Sequence, residues 1–306
     1  MWSPSVRIWP LALTLLGTSS CGGPAAVAPP VSSGAGVADS TRNVSAAPGT
    51  SCGVTTPLRP IDLRPTESHY VWDVADSPAF WEPRTDPRSQ AKFQEFQDWV
   101  TGFAPRDQTA LLTIQRQAAA DLGLSHAVRR HDLLLDQEVG TIEPASCLER
   151  FFLVTHLAQF PPSGFPAEYM AHVLRAKQGA RRLRIYLSYG DGHTFESHAD
   201  RRPEVLEGLY SSPPQNPAVL SRVYSDIART DTWEYVTFLH SHPFMIHFPQ
   251  PHIGGTVLPS DADIQGWIYG KKHFGMKSAW ITNGLQSIRI PAEQFEALGR
   301  TLPPAQ

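Results

Sequence analysis

The sequence predicts a mixed α/β fold in which a largely antiparallel sheet is flanked by helices. Three observations support that class. Cys147–Gln159 (CLERFFLVTHLAQ) carries an apolar side at helical spacing and stops at Pro161-Pro162. Runs at Glu168–Leu174, Leu183–Tyr189 and Trp233–Leu239 are rich in apolar, β-branched and aromatic residues and read as strands. Lys277–Thr282 and Gln286–Ile290 are closing strands joined by Asn283-Gly284, a strong hairpin signal.

Residues 1–21 read as a secretory signal segment. Arg7 precedes a short apolar run, Ile8–Gly17, and the small residues Ser19 and Ser20 lead to Cys21. The run is too short for a permanent span. Cys21 resembles the lipidated cysteine of a bacterial lipoprotein signal, although Thr18 stands where such signals prefer Leu. The expectation is export to a bacterial cell envelope, with the membrane reached only through a lipid anchor at Cys21. The competing reading is an ordinary signal peptide cut nearby. An oxidising compartment would then favour pairing Cys52 with Cys147. Closing so long a loop is worth roughly 4 kcal/mol in the chain-entropy model.

Residues 22–58 are dominated by Ala, Gly, Pro and Ser and read as a disordered linker. Residues 59–143 form an N-terminal region of mainly helical character and no distinctive chemistry. Phe93, Phe96, Trp99 and Val100 fall at helical spacing behind a candidate cap, Ser89. Arg106–Leu122 is a second helix candidate. Asp132–Ile142 (DLLLDQEVGTI) is expected to be a strand pair. Net charge is −3, so there is no global basic footprint for nucleic acid.

Residues 144–306 carry the chemistry. Gly190-Asp191-Gly192 turns the chain into a further strand candidate, His193–His198, and Pro203–Arg229 mixes loop and helix. The strand Trp233–Leu239 delivers the chain to His240-Ser241-His242-Pro243. Alternate residues of a strand share a face, so His240 and His242 aim two imidazoles at one point. Two neutral imidazoles are a natural start for a zinc site, and a catalytic site adds a third ligand. Ser260 can cap a helix over Asp261–His273, whose first turn offers Asp261 and Asp263. Other two-histidine chemistries fit less well. Position 244 is Phe where a metallo-β-lactamase-type motif needs Asp, and neither His-Glu-x-x-His nor Gly-x-Ser-x-Gly occurs.

His240-Ser241-His242-Pro243 followed by Ser260-Asp261-Ala262-Asp263 resembles the JAMM (MPN/JAB) metalloprotease family, over about residues 145–295. The resemblance implies a curved sheet of JAMM/MPN-like, cytidine-deaminase-like architecture. It implies one zinc per chain, held by His240, His242 and Asp263. Glu168 matches the family's upstream glutamate, which moves the proton between water and leaving amine; Glu196 is the runner-up. Ser260 would help stabilise the oxyanion. The spacer, residues 243–259, is longer than the family's usual one and must loop out, a change that closure entropy tolerates. Its extra histidines, His247 and His252, read as loop residues. The implied function is a zinc-dependent peptidase or isopeptidase acting on a protein or peptide. The alternative is a non-catalytic or metal-binding interaction lipoprotein on the same scaffold.

Overall fold

The computed structural model describes residues 52, 56–102, 104, 106–160, 168–190, 216–229, 231–244, 246–247, 252–253 and 255–303, with backbone alone at the two short pairs 246–247 and 252–253. The signal segment with Cys21, most of the linker, and the candidate strand holding Glu196 lie outside the described residues. Among those described, no helix is long and apolar enough to cross a membrane.

The fold is mixed α/β. Strands β1 (Arg59–Leu63), β2 (Glu67–Ala75), β3 (Thr141–Pro144), β4 (Met170–Ala176), β5 (Arg182–Gly190), β6 (Trp233–Ser241), β9 (Ser278–Thr282) and β10 (Gln286–Pro291) form one eight-stranded sheet. Its order is β1-β2-β5-β4-β6-β9-β10-β3. All neighbours are antiparallel except β6 and β9. Two-residue strands β7 (Ile246–His247) and β8 (His252–Ile253) pair with each other as a separate two-stranded sheet.

The sheet draws strands from both sides of residue 143. The sequence pattern does not announce β1 or β2. β2 is paired on both edges and mostly buried, including Ser68 and His69, so polar and apolar positions do not alternate cleanly along it. The expected strand pair over Asp132–Ile142 is corrected. Its first part continues helix α3 (Ser125–Leu135), and only Thr141 onward is strand. Ala127, His131 and Leu134 are buried at helical spacing, a period that the Leu133-Leu134-Leu135 run conceals.

Helices cover both faces. Helices α1 (Gln90–Thr101) and α4 (Cys147–Gln159) pack Phe93, Phe96, Leu148 and Phe152 against Tyr169, Ala171 and Val173 of the β4 segment. α3, α5 (Pro217–Ile227), α6 (Asp261–Phe274) and α7 (Phe295–Gly299) cover the opposite face. α2 (Gln108–Asp121) sends Leu111 to one core and Leu112 to the other. Ser146 caps α4 in a capping box with Glu149. Cys52 and Cys147 are disulfide-bonded, with Cα atoms 5.8 Å apart, as the cysteine count suggested.

Candidate metal centre

Topology brings the motif together. β6 and β9 are parallel neighbours, so the chain between them must cross over, and it does so through α6. The crossover helix therefore begins near the C-terminal end of β6, where His240 and His242 stand. β4 runs antiparallel to β6 with Met170 opposite His240, which sets Glu168 beside the same end. Ser241 fixes that junction. Its N–H donates to the Tyr169 carbonyl at 2.9 Å, and its hydroxyl accepts from the Tyr169 N–H at 2.9 Å.

Four side chains converge. The Nε2 atoms of His240 and His242 are 3.2 Å apart. His240 Nε2 lies 3.2 Å from Asp263 Oδ1, and His242 Nε2 lies 3.7 Å from Glu168 Oε1 and 3.8 Å from Asp263 Oδ2. One ligand atom each from Glu168, His240 and His242 lies within 4.8 Å of the others, so this group could hold a metal ion. The donor chemistry fits. His242 Nδ1 sits 2.9 Å from the Thr256 carbonyl, which can only accept, so Nδ1 carries the proton and Nε2 presents a lone pair. Asp263 is held by the α6 capping box: its Oδ2 accepts from the Ser260 N–H and hydroxyl, both at 2.8 Å, leaving Oδ1 toward His240. Ser260 thus has its hydroxyl proton on Asp263 and acts on the site by orienting that carboxylate.

Charge is balanced narrowly. Burial lowers the basicity of His240, but the Asp263 and Glu168 carboxylates outweigh it and raise its pKa. Burial opposes ionisation of Asp263, yet the two histidines hold it well below the usual carboxylate range. His242 is lowered, chiefly by burial. Burial pushes Glu168 up to about 8, with His240 opposing and Asp263 assisting. The cluster combines two imidazoles and two carboxylates, a set that a divalent cation would neutralise.

Several supports had no signal in the motif. The Gln108 side chain bonds the Gly255 carbonyl and the Val257 N–H, and Asn283 also donates to Gly255, so α2 and the β9–β10 turn pin the segment carrying Thr256. Gly255 has φ +94°, and a Cβ there would meet the Phe244 ring at 2.5 Å. Arg130, fully buried, donates to the Pro259 carbonyl at 3.0 Å and pairs with Asp261, anchoring the start of α6. Asp261 is therefore engaged away from the imidazoles. The side chains of His247 and His252, and all of Glu196, lie outside the described residues.

The four residues line a cavity of about 620 Å³ between the sheet and α6. Met170, Phe238, Leu258 and Trp267 give it a largely apolar wall. Comparison of the chain with known protein families, with curated proteins and with solved structures gave no match.

Proposed function

We propose that this chain is a zinc-dependent peptidase or isopeptidase of the JAMM type, cleaving an amide bond in a protein or peptide. The observation that carries the reading is the meeting of Glu168, His240, His242 and Asp263 in the wall of a largely apolar cavity. It is supported by the order of the residues in the chain. Glu168 stands two residues before β4, His-Ser-His-Pro begins in the last two residues of β6, and Ser-x-x-Asp spans the cap and first turn of the crossover helix. The mixed nitrogen and oxygen donors suit zinc. His240, His242 and Asp263 would hold it, with Glu168 near enough to serve as a ligand before substrate arrives.

Zinc bound there would polarise the scissile carbonyl and bring the pKa of a water toward about 7. The remaining work falls to the chain. Glu168, with its carboxyl pushed up to about 8, is matched to accept a proton from the attacking water and to give it to the leaving amine. The Thr256 carbonyl keeps His242 in the tautomer that donates a lone pair. Ser260 holds Asp263 in place, and the cavity wall sheds water from the bound substrate. The N-terminal signal and Cys21 would put this activity in the cell envelope, on a lipid anchor.

One observation favours the non-catalytic alternative. Asp263 and His240 already pair with each other, so the cluster can stand as a structural ion pair. Turnover separates the two readings. Against a mixed peptide library, the metal-loaded protein should release new amino termini. Glu168→Ala should retain metal and lose at least about a hundredfold in rate. Wild-type rates in Glu168→Ala would sink the assigned mechanism, and no cleavage by the loaded wild type would favour the binding protein.

A further inference from the structure

Helix α6 turns a nearly bare face toward the cavity. Ala262, Gly266 and Gly270 recur every fourth residue along it, and all three line the cavity. The two glycines are not alike. A Cβ on Gly270 would meet the Met276 side chain at 3.1 Å, so that glycine makes room for a neighbour within the fold. A Cβ on Gly266 would meet nothing within 4 Å. Glycine in a helix interior is less stable than alanine, and the packing does not call for it at this position.

Gly266 is also close to the chemistry. It lies three residues after Asp263, just under one helical turn and about 4.5 Å along the axis, on the same side of α6. Glu168, His240 and His242 line the same cavity. Phe238 stacks on His240 with ring centres 5.4 Å apart, and the Trp267 ring lies 6.4 Å from the same imidazole, so apolar surface reaches the candidate ligands themselves. A substrate amide held at the cluster would therefore lay a flanking side chain over Gly266.

Charge narrows the occupant. No Lys or Arg lines the cavity among the described residues. An acidic side chain lodged there would lose its hydration and gain no counter-charge. A basic one would fare no better, because the carboxylates that line the cavity are engaged: Asp261 with Arg130, Asp263 with His240 and Ser260, and Glu168 beside His242. Met170, Leu258 and Met276 offer apolar wall instead, and about 620 Å³ is ample for a large side chain.

We propose that Gly266 is the specificity-determining residue of this site: by leaving its face of α6 bare, it admits a bulky, neutral apolar side chain next to the scissile bond. The inference rests on the hydrolase reading for the bond alone, and the space over Gly266 is tested by binding, without turnover. Gly266 touches the substrate's side chain and not the reacting atoms, so it sets size preference and leaves the metal ligands as they are.

The test is NMR titration of the purified full chain, with zinc supplied, using the N-acetyl amides of leucine, glycine, aspartate and lysine. The leucine amide should bind about tenfold more tightly than the glycine amide, as expected for burying one large apolar side chain. The aspartate and lysine amides should bind no more tightly than the glycine amide. Gly266→Leu should keep the metal and the glycine-amide affinity but lose the preference for leucine, and Gly266→Ala should narrow that preference. If Gly266→Leu fails to fold, Gly266→Ala decides, since alanine suits a helix interior. Equal affinity for the leucine and glycine amides, tighter binding of the aspartate or lysine amide, or an unchanged leucine preference in the folded variants overturns the proposal. Hydrolysis is read separately, on peptides carrying leucine or glycine beside the candidate bond. Leucine preference without cleavage of any peptide keeps the subsite and removes the hydrolase. Cleavage without leucine preference does the reverse.

Discussion

Glu168 shows how much one buried carboxyl can report. Burial raises its pKa from 4.5 to about 8 in the folded chain, so the folded state holds its proton more tightly than the unfolded state does. Its contribution to stability is complete below about pH 4.5 and is lost as pH rises through about 8. In chelator-treated protein, Glu168→Gln should therefore match the wild type near pH 4.5 and exceed it increasingly toward pH 8, by denaturant titration. An equal difference at both ends would contradict the burial assigned to this carboxyl. The residues nearest the chemistry were legible because two constraints act over short sequence distances. Strand alternation puts His240 and His242 on one face, and a helix cap sets Ser260 against Asp263. Ser241, Thr256, Gln108 and Arg130 were not legible. Each meets its partner across at least 14 residues of sequence, and nothing in their local pattern announces it.

At the scale of elements, the strands and helices that carry the site were readable from period and punctuation. The Ser260 cap and the Asn283-Gly284 turn set their boundaries closely. Failures came where tertiary contact overrides pattern. β2 is an interior strand with buried polar groups, and α3 hides its period inside a leucine run. Helix α6 carries a further readable feature. Gly266 lies in its interior, and a Cβ there would meet nothing within 4 Å. Gly266→Ala should raise stability by about 0.5–1 kcal/mol through lost backbone freedom in the unfolded chain. A loss measured in thermal or denaturant unfolding would mean that α6 needs the glycine for closer packing than the structure contains.

Across the whole molecule, the sheet ties residues 59–143 to the half that bears the motif. β2 pairs with β5, β3 pairs with β10, and Gln108 reaches the segment beside His242. The Cys52–Cys147 disulfide closes a separation of 95 residues across that junction. Replacing both cysteines by Ser should cost about 4–5 kcal/mol by the chain-entropy relation, read as a lower denaturant midpoint. An unchanged midpoint would show that the unfolded chain is already compact there. The proposed chemistry depends on the imidazole pair of His240 and His242. The direct measurement is metal content by elemental mass spectrometry on protein purified without chelator, beside His242→Ala. A metal centre at His240 and His242 predicts one zinc per chain in the wild type and loss of it in the variant. A wild type that takes up no metal even with zinc supplied, or a His242→Ala protein that keeps it, would contradict the metal centre.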